Sequence, residues 1–300
     1  MVPISQKYHD TAIKMVESSS QLHEISKHNV YQEGNDRNRA LVDTIVEELL
    51  VPGSHLDGFE NLKELHRLAQ SGKSCLILME HYSNFDIPCL YYLLNQQEEG
   101  HQISSSIVSM AGMKLNTDSK FVLAFTEAYT RIVIYPSRSL ASITDPATLA
   151  QERKRSSVVN RAAMHEMVRQ KHAGKLILMF PSGTRYRPGK EDTKRGVKEV
   201  DSYLKSFHYM VLIGIAGNVL RVSPTEDMSE DLVTRDAIVY SVSPVTSCHD
   251  YRKHAKTKSG FGAEQSSKQH VADTVMSDLE TYHQKAEAAR APLLVHRNIQ

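Results

Sequence analysis

Residues 74–94 read SCLILMEHYSNFDIPCLYYLL, and the change of character inside this stretch decides the fold. Ser74 to Met79 form a short apolar run of strand length. The run stops at Glu80-His81. From about residue 87 to 97 apolar positions return at helical spacing, and Pro88 falls in the first turn, where a helix has no intrahelical N–H to lose. Strand, polar turn and helix together make one βα unit. The alternation continues with apolar runs at 105–110, 131–135, 175–180, 209–216 and 237–245, and with helical patterns at 59–71, 148–172, 194–207 and 265–290. Strands separated by helices predict an α/β fold with a mainly parallel mixed sheet flanked by helices. Ahead of it, DRNRALVDTIVEELL (36–50) sets Leu41, Val42, Ile45, Val46, Leu49 and Leu50 on one helical face before Pro52-Gly53, and a looser helical pattern covers 4–28. The expected division is an N-terminal helical subdomain at 1–53 and an α/β domain at 54–300.

The chain is 40% apolar and 24% charged over 300 residues, as expected of a globular protein that buries a sizeable core. Its net charge of +1 gives no reason to expect nucleic-acid binding by the whole molecule, so any basic site must be local. Cys75, Cys89 and Cys248 show no C-x-x-C spacing and read as reduced thiols, two of them in apolar core segments. No window approaches the roughly 20 apolar residues that cross a bilayer, and MVPISQKYHDTAIK lacks the apolar centre of a secretory signal. A cytoplasmic location is expected, with peripheral contact at a membrane left open.

In such folds, ligands collect beyond the carboxyl ends of the strands. His81 stands there, and Asp86 lies near the start of the next helix. A turn through YSNF can set the carboxylate on one ring nitrogen and leave the other as a general base. The same residues also suit a surface histidine and a helix N-cap, so the pair alone decides little. A second stretch, FPSGTRYRPG (180–189), follows another apolar strand. It offers a tight turn at Gly183, hydroxyls at Ser182 and Thr184, and guanidinium forks at Arg185 and Arg187, suited to a phosphate. From 185 to 198 six basic residues face Glu191 and Asp192, a local excess of four that a merely solvated loop does not explain. Something anionic is expected there.

The spacing His81-x4-Asp86 followed about 100 residues later by FPSGTR resembles the first and third motifs of the glycerolipid acyltransferases. Members of that superfamily move a fatty acyl group from a thioester to glycerol 3-phosphate or a lysophospholipid. Many of them carry glutamate where this chain has Ser182. The form Ser182-Gly183-x-Arg185-x-Arg187-Pro188, and the stretch MKLNTDSKFVLAFTEAYTRIVIYPSRS, are similar to the soluble plastid-type glycerol-3-phosphate acyltransferases. The resemblance covers roughly residues 60 to 245. It implies His81 and Asp86 as the catalytic pair, and Ser182, Gly183, Thr184, Arg185 and Arg187 at the substrate. Arg138 stands at the place of a phosphate-binding lysine, and Ser139 at that of a histidine.

The expected activity is therefore acyl transfer to glycerol 3-phosphate from acyl carrier protein or coenzyme A, with no metal or other cofactor. Lys190, Lys194, Arg195 and Lys198 would face the acidic carrier or the coenzyme's phosphates. A lysophosphatidate or other lysophospholipid acceptor is the nearest alternative, and an inactive phosphate-binding module of the same fold is another. A thioester hydrolase using Cys89 or Ser83 is a third, although Cys89 lies in the apolar pattern IPCLYYLL and Ser83 has no G-x-S-x-G elbow. CHDYRKH (248–254) reads as a solvated loop.

Overall fold

The computed structural model describes residues 1–19, 24–117, 119–141, 143–225, 227–257 and 266–295. Cys75–Met79 is buried throughout and runs parallel to Leu176–Met179 on one side and Tyr209–Ala216 on the other. Cys75, Ile77 and Met79 pack with Val42, Ile45 and Leu90 on one face. Leu76 and Leu78 pack with Val159, Met167 and Leu279 on the other. With both faces covered, every position must be apolar, which is why the strand reads as a continuous run.

The sheet order, from one edge, is Tyr31–Gln32, Arg131–Ile134, Ile107–Gly112, Leu176–Met179, Cys75–Met79, Tyr209–Ala216, Val239–Val242 and His55–Asp57, with Thr246–Ser247 also paired to Tyr209–Ala216. Val239–Val242 and Thr246–Ser247 run antiparallel to Tyr209–Ala216, and Tyr31–Gln32 runs antiparallel to Arg131–Ile134. The remaining pairs are parallel, so the sheet is mixed and mostly parallel, as expected. Val2–Pro3, Leu232–Val233 and Leu220–Arg221 form a second, three-stranded antiparallel sheet. Among the described residues no helix is long and apolar enough to cross a membrane.

The amphipathic helix at Asp36–Leu49 is capped by Asn35, whose side chain accepts from the N–H groups of Arg37 and Asn38. The 4–28 pattern yields helices at Ile4–Lys7 and His9–Glu17, with residues 20–23 outside the described residues and no helix over 24–28. Asp145 starts the long helix Pro146–His172 by accepting from Thr148 N at 2.8 Å. Helix Ser267–Val295 is the last described element, residues 265 and 296–300 lying outside the described residues.

Two expectations need correction. The 194–207 helix is confined to Val200–Ser206, preceded by a 3-10 turn at Glu191–Lys194. The supposed loop at 248–254 is helix Cys248–Thr257. Cys248 and Ala255, one heptad apart, carry its buried seam, and Arg252 pairs with the buried Asp201 at 2.6 Å. A seam that narrow is hidden in sequence by the charged residues around it.

Candidate active site

Leu78 and Met179 are register partners in adjacent parallel strands, so the loops that follow both strands leave the sheet at the same edge. His81 and Phe180 meet there, their rings stacked at 3.7 Å and 9°. His81 Nδ1 lies 2.9 Å from Asp86 Oδ2. The same oxygen accepts from the N–H groups of Tyr82 at 2.7 Å and Ser83 at 2.9 Å. An ionised carboxylate only accepts, which assigns the proton to Nδ1 and leaves Nε2 with its lone pair. Asp86 does not cap its own helix. The N-cap position is Phe85, without a side-chain bond, and Asp86 is the first helical residue, reaching back over the turn. Burial pushes the His81 pKa below its ordinary value, with Arg185 acting in the same direction, and this outweighs the opposing pull of Asp86.

The second loop is locked to the first. Tyr186 N donates to the His81 carbonyl at 2.8 Å, and Val197 N to the Pro181 carbonyl at 2.8 Å. Gly183 takes φ +65°, a left-handed turn that side-chain-bearing residues adopt with strain. Ser182 Oγ donates to the Thr184 carbonyl at 2.7 Å and so closes the turn from within. Arg187 N donates to Thr193 Oγ1 at 2.9 Å. Arg185 is only 7% exposed, and its Nη1 is bonded to Asp231, which is 1% exposed. Asp231 Oδ1 also accepts from Ser223 N at 2.9 Å. Burial raises the Asp231 carboxyl above its ordinary range against the pull of Arg185 and Arg187. Arg138 is exposed on the short helix Ser137–Ala141, its Nη2 at 3.4 Å from the Asp192 carbonyl.

His81, Arg138, Ser139, Gly183, Thr184, Arg185 and Arg187 line one cleft of about 620 Å³. Asp86 and Ser182 are buried and do not border it. The rest of the wall is largely apolar and comes from both faces of the sheet: Ile87, Phe121 and Phe125 on one, Met164 and Tyr203 on the other. The cleft thus joins a basic histidine, cationic groups and apolar surface, which suits an acyl chain and an anionic partner together. The hydrolase alternative fares poorly. Burial pushes the Cys89 thiol well above its ordinary range, and Ser83 Oγ is engaged, donating to the Leu220 carbonyl at 3.0 Å and accepting from Phe85 N at 3.0 Å.

Sequence reading missed Phe180 as the stacking partner of His81, and Asp231 as the partner of Arg185. The aromatic residue immediately before Pro181 was a usable signal. Asp231 lies in a segment with no periodic pattern and gave none.

Residues 56–211 match the Acyltransferase family, a span that covers just over half of the chain and contains both loops. The chain belongs to this family and is an acyltransferase by class. No curated protein matches it in sequence comparison.

Proposed function

We propose that the protein transfers a fatty acyl group from a thioester of acyl carrier protein or coenzyme A to a hydroxyl of glycerol 3-phosphate, in phospholipid synthesis. The observation that carries this reading is His81, hydrogen-bonded to Asp86 behind it, on the same cleft as Arg138, Arg185 and Arg187. His81 Nε2 takes the proton of the attacking hydroxyl as its oxygen adds to the thioester carbonyl. Asp86 stabilises the imidazolium that forms. The tetrahedral intermediate collapses, the C–S bond breaks, and the departing thiolate takes the proton back from His81. No covalent acyl-enzyme and no cofactor are required. The chemistry is local to the cleft, so location in the cytoplasm or at a membrane face is compatible with it.

Arg187 and Arg138 hold the phosphate, beside the Gly183-Thr184 turn and Ser139. Arg185, committed in part to Asp231, builds the wall behind them. The apolar surface near Phe121 and Phe125 takes the acyl chain. The motif form that resembles the plastid-type enzymes favours glycerol 3-phosphate over a lipid acceptor. A lysophosphatidate acceptor is the second reading, favoured by the apolar lining on both faces of the sheet. The intact His81–Asp86 pair argues against an inactive binding module.

The test is a panel of acceptors, with and without phosphate and with and without a first acyl chain, offered one thioester donor. Purified protein without detergent or vesicles is expected to acylate glycerol 3-phosphate faster than its monoacylated form at equal concentration. Faster turnover of the monoacylated acceptor would move the assignment to a lysophospholipid acyltransferase. Arg187→Lys keeps the charge but loses the planar fork. It is expected to raise KM for glycerol 3-phosphate about 10-fold, the scale of one charged hydrogen bond, with KM for the donor little changed. An equal effect on both substrates would assign Arg187 to loop folding.

A further inference from the structure

The residues on either side of His81 in the chain join a polar cluster that no step of the proposed mechanism uses. Glu80 is 4% exposed. Its Oε2 accepts from Ile215 N at 2.8 Å and lies 3.2 Å from His283 Nδ1, and its Oε1 accepts from the Tyr82 hydroxyl at 2.9 Å. The Tyr82 ring packs against His283 at 5.4 Å and edge-on against Tyr186 at 5.9 Å, and Tyr186 is the residue whose N–H holds the His81 carbonyl. His283 belongs to helix Ser267–Val295, beyond the family match, which ends at residue 211.

The approach of that helix is built into the neighbouring strand. A Cβ at Gly214 would meet the His283 nitrogen and the Tyr282 carbonyl carbon at 2.3 Å, so the strand must carry glycine there for the helix to sit so close. A second clasp lies one turn away. Lys194 Nζ is 2.6 Å from Glu280 Oε2 and 5.8 Å from the centre of the Tyr186 ring. The helix therefore grips the turn that carries His81 and the loop that carries the arginines.

We propose that Glu80 and His283 are positioning residues of the acyl-transfer site, a carboxylate–imidazole pair through which the C-terminal helix fixes the backbone on both sides of His81. The inference rests on the reading of His81 as the base. Because the pair borders the backbone and not the cleft, it acts on the chemical step through His81 and leaves substrate binding nearly untouched. The groups facing His283 are Glu80 from the strand end, Tyr82 from the turn, the Ile215 carbonyl from the neighbouring strand and Glu280 from its own helix, with Lys194 paired to Glu280. Hydrogen bonding to Glu80 leads the effects that raise the His283 pKa, and burial opposes it. Neutral or charged, the imidazole can keep a hydrogen on Nδ1 for Glu80, so the contact does not depend on the charge of His283.

The experiment uses the full chain, an acyl-coenzyme A donor and glycerol 3-phosphate, with His283→Ala, His283→Gln and Glu80→Gln each alone and on a His81→Ala background. Imidazole N–H proton spectra are recorded in parallel without substrate. His283→Ala is expected to lower kcat about 10- to 100-fold, the effect of a misplaced catalytic group, with both KM values nearly unchanged. It should add little to His81→Ala, because the two act as one unit. His283→Gln, which keeps an N–H for Glu80, should retain most of kcat. The downfield N–H signal of His81 on Asp86 should broaden in His283→Ala.

Full kcat in His283→Ala, or a loss that multiplies with that of His81→Ala, overturns the proposal. If His283→Ala does not fold, Glu80→Gln decides instead: full kcat there, or a loss that multiplies with that of His81→Ala, overturns the proposal. If the wild-type chain does not acylate glycerol 3-phosphate, the reading of the activity fails on its own. The His81 N–H signal then decides, broadening supporting the positioning role and an unaltered signal overturning it.

Discussion

Replacing His81 by alanine is expected to lower kcat at least about 100-fold, the usual cost of losing a general base, while the melting temperature moves by only a few degrees. The small thermal effect follows from the site. The ring stacks on Phe180 and holds Asp86, yet the carboxylate keeps the N–H groups of Tyr82 and Ser83 when the imidazole is gone. Asp86→Asn should also be severe, because the amide cannot stabilise an imidazolium as a carboxylate does. Its structural cost is greater, since one oxygen now ties together the whole turn. The two losses should combine far less than additively. Burial lowers the His81 pKa from its ordinary 6.5, so the acid-side rise of kcat/KM should centre below that value and vanish in the residual activity of His81→Ala. Near-normal turnover in the alanine variant would end the assignment of His81 as base.

The parts of this molecule that local periodicity encodes were legible. Cys75–Met79, Leu176–Met179 and Tyr209–Ala216 read as strands because both faces are covered, and the helix at Asp36–Leu49 read true because its apolar stripe faces one core. The contact of His81 with Asp86 was also foreseeable, since a turn through the four residues between them can bring the carboxylate onto the ring. What was not legible depends on distant partners. Phe85 occupies the N-cap position that local rules would give to Asp86, because Asp86 is held by Tyr82, Ser83 and His81 instead. Helix Cys248–Thr257 owes its place to the buried Asp201 that receives Arg252. The short helices Lys114–Thr117 and Lys120–Thr126 sit where the sequence showed only a connection between strands. They place Phe121 and Phe125 on the cleft. Nothing near Arg185 announces Asp231, and nothing near His81 announces His283.

The Arg185–Asp231 pair carries the largest expected effect on stability. Arg185→Met is predicted to destabilise the fold by about 3–5 kcal/mol, because it leaves a buried carboxylate without its cation, whereas an exposed arginine would cost almost nothing. Asp231 is not a local anchor only. Its backbone carbonyl accepts from Ile4 N at 2.9 Å, its side chain holds Ser223 N, and Asn84 Nδ2 lies 3.4 Å from it, so the turn of His81, the arginine loop and the small sheet meet there. Removing Arg185 takes away a force that lowers the Asp231 pKa and so raises it further. A raised folded-state value favours the folded chain below the unfolded pKa and loses that advantage as pH rises, so the deficit of Arg185→Met should shrink towards acid pH. Asp231→Asn removes the charge and keeps an acceptor for Ser223 N. The double variant Arg185→Met/Asp231→Asn should therefore be more stable than Arg185→Met alone, a sign that urea unfolding of the four proteins of the cycle reads directly. A double variant no more stable than Arg185→Met would mean that the arginine holds the loop by its packing and not by its charge.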